Sequence, residues 1–390
     1  MISVEEAQEQ LLALVAGLES ETVDLRNAAG RVLAHEVAAT RDQPPFASSA
    51  MDGYAVADRA PEAGAIYEVI GESAAGHRYV GALTGKEAVR IFTGAPVPEG
   101  TQKIIIQEDV ERQNAHIILK DNFDTELYIR PAGSDFAIGH KISGRKYLTP
   151  SDIALAASMN IPRLSVTRKP SVALISTGDE LVMPGQQPNQ DQIIASNTFG
   201  LAALLEKHGA SVRILPIARD TLASLKTVFN LIGQADLIVT IGGASVGDYD
   251  LVTDAAQDLG LVQNFYKVAM RPGKPLMAGQ FGNTPMVGLP GNPVSAMVCG
   301  SVFLVPMVKK MLGYRHPLPE VLRARLCAPA GKNGPRTHYC RSFVNDAGLT
   351  IADRQDSSLL SVLADANCLA IRAPDAPEAE KGDEIDYILI

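Results

Sequence analysis

Cysteine is scarce: Cys299, Cys327, Cys340 and Cys368 are the only four in 390 residues, and no two stand in CxxC spacing. That excludes a disulfide frame or a cysteine zinc site and reads as reduced thiols in a cytosolic protein. Seven histidines occur without an HxxxH pair, so no histidine metal motif is present. Positive charge is also in deficit, with a net charge of −9, which argues against nucleic acid or an anionic membrane as the main partner. Any anionic substrate must then be met by a local cluster of cations or backbone N–H groups. Ser3-Val4-Glu5-Glu6 is a helix capping box with no basic and apolar leader around it, so no secretory signal is expected. The most apolar stretch, Pro293 to Val308, is too short to span a bilayer, and Pro306 is expected to break it. Internal repeats and low-complexity tails are lacking too. The expectation is a soluble, cytoplasmic protein.

At this length several domains are expected, and an apolar content of 46% supports ordinary cores. Helical spacing of Ala7, Leu11, Val15 and Leu18 predicts a first helix from Val4 to about Leu18. Short Gly- and Pro-punctuated strands, Tyr67–Ile70, Ala88–Phe92, Lys103–Gln107 and His116–Leu119, suggest a small β domain. From Pro170 the pattern becomes strand–helix alternation: strands Val172–Ser176, Ser211–Ile217 and Leu237–Ile241, helices Ser196–His208 and Thr221–Ile232. That alternation means right-handed βαβ units on a parallel sheet. After Pro317 short, partly alternating strands return. The fold class expected is therefore multidomain α/β plus β.

Five loops of the α/β segment carry chemistry. Gly242-Gly243-Ala244-Ser245-Val246-Gly247-Asp248-Tyr249-Asp250 follows a buried strand, at the edge where open α/β sheets bind ligands. Its glycines allow close approach to the main chain, or the segment is a tight loop with Asp250 capping the helix Leu251–Gly260. Ser176-Thr177-Gly178-Asp179-Glu180 and Asp220 leave the two preceding strands. Carboxylates such as Glu180, Asp220 and Asp250 suit Mg²⁺; equally, Asp220 and Asp250 could be helix caps and Glu180 a solvated acid. Lys267, Arg271 and Lys274 sit on a loop stiffened by Pro272, Gly273 and Pro275, which lowers the ordering cost of oxyanion capture. Pro290-Gly291-Asn292-Pro293-Val294-Ser295 places Asn292 as N-cap, with free helix N–H groups facing the ligand edge. In the N-terminal half, Pro44–Val56 carries the single acid Asp52. Thr93–Pro98 and Arg130–Asp135 are two further polar loops, and Arg130 with Asp135 could be a plain loop salt bridge.

Taken in order, these segments resemble the MoeA/gephyrin family of molybdopterin molybdenumtransferases over the whole chain. The family stretch PPFxxSAMDGYAV is matched by Pro44 to Val56, and GGxSVGDYD by Gly242 to Asp250. Leu360 to Leu369 and Gly382-Asp383 are similar to its last domain. The resemblance implies an elongated N-terminal helical and linker domain (1–48 and 132–169) and an inserted β domain (49–131). It further implies a three-layer α/β molybdopterin-binding domain (170–315) and a small C-terminal β-barrel (316–390). It implies a homodimer in which Asp52 acts across the interface, and insertion of molybdate into adenylylated molybdopterin with Mg²⁺ and release of AMP. Contacts with the molybdopterin adenylyltransferase and with apo-molybdoenzymes are implied as well.

On that basis Asp52, Asp248, Asp250, Lys267 and Lys274 are the catalytic candidates, and Glu180, Asp220 and Asp250 the metal candidates. Thr93, Arg130, Asp135, Ser176, Thr177, Gly178, Gly242, Gly243, Ser245, Arg271, Pro290, Gly291, Asn292 and Ser295 are the candidates for contacts to the pterin, phosphate and oxyanion. The chain departs from the family pattern at Ala47-Ser48 and Ala195, where acids or Asn are usual, and at Arg219, the first position of an Asp-Asp pair. Asn160 and Gly100-Thr101-Gln102 also differ. Two alternatives stay open: a non-catalytic molybdopterin-binding scaffold or carrier, which the missing acids allow, and the adenylyltransferase. Gly-Gly-Thr-Gly is usual in the latter, where this chain has Gly242-Gly243-Ala244-Ser245.

Overall fold

Ser3 opens the first helix, Val4–Ala13, through a complete capping box with Glu6. Val4, Ala7 and Leu11 recur at helical spacing and are buried against the core of the α/β domain. Burying Val4 and Leu11 contributes roughly 1.5–3 kcal/mol each, which a helix this short needs because it is marginal alone. It ends earlier than its periodicity predicts: the Leu18 N–H is taken by the Met311 carbonyl at 2.8 Å, and the chain leaves to form the strand Ser20–Asp24. The computed structural model describes residues 1–242, 257–258 and 260–390.

The helix packed against it corrects the expectation about Pro306. Pro293–Cys299, a π-helical turn Gly300–Leu304 and Val305–Met311 run on as one helical stretch. It is 19 residues long and 78% buried inside the protein, so it is a core element. The π turn, in which the Val305 N–H reaches the Gly300 carbonyl, re-spaces the backbone just ahead of the proline ring. The carbonyl that Pro306 cannot serve, four residues back at Val302, accepts instead from Gln8 Nε2 at 3.2 Å. A side chain of the first helix thus satisfies a bond the proline leaves open.

The central sheet has six strands in the order Ser211–Ile214, Ser171–Ser176, Leu237–Ile241, Thr284–Leu289, Met277–Phe281 and Leu261–Tyr266. The first four are parallel, Met277–Phe281 runs against them through a hairpin at Gly282-Asn283, and Leu261–Tyr266 pairs antiparallel with Met277–Phe281. The sheet is therefore mixed, not purely parallel. Its last strand escapes the sequence pattern because Val262, Gln263 and Asn264 are exposed at the edge. Helices Asn197–Lys207 and Leu222–Phe229 cover opposite faces, since Leu201 and Leu205 enter one apolar cluster and Leu225, Val228 and Phe229 another.

Upstream, antiparallel pairs join Ser20–Asp24 to Arg163–Thr167, Val37–Ala38 to Lys141–Ile142, and Ser48–Ser49 to Ile129–Arg130. Between the strands of the last pair the chain builds a six-stranded sheet from Gly53–Val56 through His116–Leu119. At the other end, the strands Leu322–Arg325, Thr337–Asn345, Gly348–Ile351, Cys368–Arg372 and Glu384–Leu389 form a further sheet. A bridge from Leu326 to Leu349 closes it on itself.

Where the chain enters the α/β domain, the Arg168 guanidinium grips Asp236 through two bonds of 2.6 and 2.7 Å, and the Ser171 N–H donates to the same carboxylate at 2.8 Å. Burial alone would raise the Asp236 carboxyl, but the Arg168 and Ser171 bonds together hold it below the ordinary range. The stabilisation is therefore present above the unfolded carboxyl pKa and disappears as pH falls through the folded one. Asp236→Asn is expected to cost about 1.5–3 kcal/mol at neutral pH. Urea unfolding at neutral and strongly acid pH checks this: a loss that does not shrink in acid would exclude the ion pair as its cause.

Candidate active site

Three parallel strands end side by side. The Thr177 N–H bonds the Ile241 carbonyl and the Gly242 N–H the Leu289 carbonyl, each at 3.0 Å, so Thr177, Gly242 and Pro290 share one edge. Gly242 has φ +96°, and a Cβ there would stand 2.7 Å from the Thr177 carbonyl oxygen and 3.0 Å from its hydroxyl. Glycine is required at this point for both conformation and space. Gly291 lies against Gly242, and its carbonyl is held by Asn197 Nδ2 at 2.7 Å. Ser176 is buried, its hydroxyl bonded to that of Thr198, so it ties strand to helix. The buried hydroxyls of Thr177 and Thr240 lack a partner among the described residues. Gly243, Ser245, Asp248 and Asp250, with the helix expected from Leu251, lie in a segment of which residues 243–256 are outside the described residues.

Glu180 is exposed and folds back over Gly178, whose absent Cβ would otherwise meet its carboxylate at 2.4 Å. Asp220 is exposed too, and it is not a helix cap. Thr221 occupies that position, its hydroxyl accepting from the Ser224 N–H at 3.2 Å, because the residue adjoining the helix is the one whose side chain can reach back. Arg219 Nη1 donates to the carbonyls of Gly178, Asp179 and Leu181 at 3.3, 2.8 and 3.1 Å. A guanidinium thus ties this loop where an acid is usual. Among the described residues no three His, Cys, Asp or Glu side chains cluster to hold a metal. Asp220 stands beside the Ser176–Glu180 loop, its N–H donating to Asp179 Oδ1 at 3.2 Å.

The basic loop is stiff for a visible reason. Pro272 and Gly273 are buried, and a Cβ on Gly273 would stand 2.5 Å from Cys299 Sγ. This leaves Arg271 and Lys274 exposed on either side. Lys267 has φ +71° and holds its ammonium 4.8 Å from the Tyr266 ring. Asn292 is the N-cap residue of Pro293–Cys299, but its side chain makes no capping bond. The expected set of free N–H groups is reduced, because the Val294 N–H donates to the Ser357 carbonyl of the C-terminal domain at 3.1 Å. Ser295 is buried just inside this helix end.

Sequence reasoning missed Arg341. It is fully buried, its Nη1 and Nη2 donate to the carbonyls of Asp356 and Arg354, both at 3.1 Å, and its Nε has no partner among the described residues. Nothing in an alternating strand pattern marks such a residue. What brings it here is pairing of Met270–Arg271 with Thr337 and His338.

In the N-terminal half, the N–H and the hydroxyl of Thr93 both donate to Asp52 Oδ1 at 2.7 Å. These two bonds, the backbone one first, hold the Asp52 carboxyl below the usual range. Asp52 is therefore held as an ionised hydrogen-bond acceptor. Arg130 pairs in a ladder with Ser48, and the Asp135 N–H donates to the Gln43 carbonyl at 2.9 Å. No ion pair joins Arg130 to Asp135 among the described residues, so the plain salt-bridge reading does not hold. The bonds of Asp52, Thr93 and Asp135 all stay within this half of the chain. Thr93→Ala is expected to raise the Asp52 pKa toward its ordinary value, moving the acid limb of any Asp52-dependent turnover to higher pH. An unmoved limb in a pH–rate profile would detach Asp52 from that limb.

Comparison with known proteins gives a consistent result. The chain matches the MoeA N-terminal region (domain I and II) over residues 2–160, a probable molybdopterin binding domain over 173–310, and the MoeA C-terminal region (domain IV) over 323–390. It is 32% identical to the molybdopterin molybdenumtransferase of Haemophilus influenzae, across 99% of this chain and 98% of that one. It is 36% identical to that of a Nostoc species over 80% of this chain and 75% of the relative. The crystal structure of the molybdopterin biosynthesis MoeA protein from Pyrococcus horikosii superposes with a TM-score of 0.84 at 27% identity, covering 100% of this chain and 99% of that one. With all three regions matched in order and the relatives aligned nearly end to end, this chain belongs to the MoeA family of molybdopterin molybdenumtransferases.

Proposed function

We propose that the protein inserts molybdate into adenylylated molybdopterin, cleaving the pyrophosphate and releasing AMP, in the last step of molybdenum cofactor synthesis. The observation that carries this reading is that the basic loop between Tyr266 and Met277 leaves the sheet at the same edge as the glycine-lined strand ends. Both reacting partners are anionic, molybdate as a dianion and the substrate through its pyrophosphate. Lys267, Arg271 and Lys274 supply charge to oxyanions from a loop that loses little freedom on binding. Thr177, Gly242 and Gly291 offer a close backbone approach for the pterin and phosphate. Glu180 and Asp220 are the residues to hold Mg²⁺, which when bound polarises the phosphoanhydride. Asp52, kept ionised by Thr93, serves as base.

The bonds of Asp52 lie away from the strand edge, so the reading places Asp52 opposite the α/β domain of a second subunit in a homodimer. A cytoplasmic location, with the molybdopterin adenylyltransferase as supplier and apo-molybdoenzymes as recipients, completes it. A non-catalytic carrier is the competing reading, favoured by Arg219 standing where an acid is usual. Incubation with adenylylated molybdopterin, Mg²⁺ and molybdate is expected to release AMP and yield cofactor that activates an apo-molybdoenzyme. Asp52→Ala is expected to lower turnover by about 10²–10⁴-fold with molybdopterin binding retained. A carrier would release no AMP and would keep its biological activity in the variant.

A further inference from the structure

One side chain of the inserted β domain touches each element that fixes Asp52. Arg90 faces Tyr54 across the ladder of Gly53–Val56 with Glu87–Ile91, so the two side chains share a face, with Phe92 two residues on. The Arg90 Cζ lies 5.0 Å from the Tyr54 ring centre and 4.8 Å from that of Phe92. Its Nη1 donates to the Gly53 carbonyl at 3.1 Å and its Nη2 to Gln107 Oε1 at 2.7 Å. Each of these partners adjoins Asp52 or a group that holds it. Gly53 follows Asp52 in the chain, and the Gln107 N–H donates to the Asp52 carbonyl at 3.1 Å. Phe92 precedes Thr93, whose N–H and hydroxyl hold the carboxylate. The strand at Gly53 has little slack to take up a shift, because a Cβ there would stand 2.0 Å from the Ile105 carbonyl oxygen.

The charge of this guanidinium has no counter-ion in contact. Both of its acceptors are neutral, and no carboxylate pairs with Arg90 among the described residues. Glu72, its ladder partner on the adjoining strand, is exposed, and Glu108 accepts from Gln107 Nε2 at 3.1 Å. Asp52 feels the charge: the Thr93 N–H and hydroxyl bonds lower its carboxyl most, and Arg90 adds to them. A half-buried arginine held between two rings by two directed bonds is a rigid piece, whereas a lysine in its place would supply charge without the planar fork. We infer that Arg90 is a positioning residue for Asp52, a strut that sets where the carboxylate stands in the transfer reaction. The inference rests on the proposed role of Asp52 and names the side chain through which that role is held in place.

Arg90→Met tests this, because it keeps an unbranched apolar stem over the rings and removes the charge and both bonds. In AMP release from adenylylated molybdopterin with Mg²⁺ and molybdate, kcat is expected to fall about 10–100-fold, the scale of a slightly misplaced reacting group, with KM little changed. The acid limb of the pH–rate profile is expected to move to higher pH, since losing a nearby positive charge releases the Asp52 carboxyl toward its ordinary value. Arg90→Lys restores the charge but not the two-pronged grip, so it is expected to return the limb and only part of kcat. A second readout needs no turnover: carbon-13 NMR titration of aspartate-labelled full-length protein, with the Asp52 signal identified by its loss in Asp52→Asn. At low ionic strength, where exposed charges are least screened, the Asp52 pKa is expected to rise in Arg90→Met and to return in Arg90→Lys. Should Arg90→Met fail to fold, Gln107→Ala, at an exposed side chain, is expected to give a smaller fall in kcat at unchanged KM. Unchanged kcat in the folded variants overturns the strut, as does full recovery of kcat in Arg90→Lys or a loss carried by KM alone. An Asp52 pKa that moves as expected in a protein releasing no AMP removes the transferase reading alone. AMP release with unmoved kcat and an unmoved Asp52 pKa in Arg90→Met removes the role of Arg90 alone.

Discussion

A two-residue parallel ladder, Met270 with Thr337 and Arg271 with His338, holds the C-terminal sheet in register with the basic loop of the α/β domain. Through it the C-terminal sheet extends into the basic loop of the α/β domain. The Thr337 N–H donates to Ala269 at 3.0 Å and the Val294 N–H to Ser357 at 3.1 Å, closing the seam on two sides. Without that seam Arg271 would be a solvated side chain on a turn, and His338, Arg341 and Arg372 would belong to a remote sheet. Main-chain bonds fix the side chains to the pleat spacing, which is tighter positioning than flexible cations achieve on a loop alone.

Charges are treated unequally around this seam. Where their bonds are seen, the carboxylates serve as structural acceptors: Asp236 for Arg168 and the Ser171 N–H, Asp152 for Lys146 and Thr149, Asp52 for Thr93. Most are held ionised by such bonds. The cations near the α/β edge are instead left with carbonyls or nothing, as Arg341 and Arg372 show. A protein of net charge −9 that concentrates unpaired positive charge in one junction gains a local potential opposite to its overall one, and a low-dielectric wall strengthens it.

The long helix from Pro293 shows how local rules are overridden without being violated. Proline removes a donor in any helix, and here the π turn and Gln8 together absorb the consequence. The solution needs a residue almost three hundred positions away, so no window of sequence contains it.

The buried strands Ser171–Ser176 and Leu237–Ile241 were legible because each carries an apolar run, and the Gly and Pro loops because those residues restrict or free φ irrespective of context. The segments carrying Asp52, Thr93, Gly242, Arg271 and Lys274 were legible for the same reason, as was the capping box at Ser3. Hydrophobic period and backbone sterics act within a few residues, so the sequence by itself determined which segments fold as strand, helix or rigid loop. The edge strand Leu261–Tyr266 and the passage through Pro306 depended on partners distant in the chain. The burial of Arg341, His338 and Arg372 was decided only by tertiary structure. A cation in an alternating strand reads as solvent-facing until a second domain covers it, and whether it finds a counter-charge depends on three-dimensional proximity that no spacing encodes.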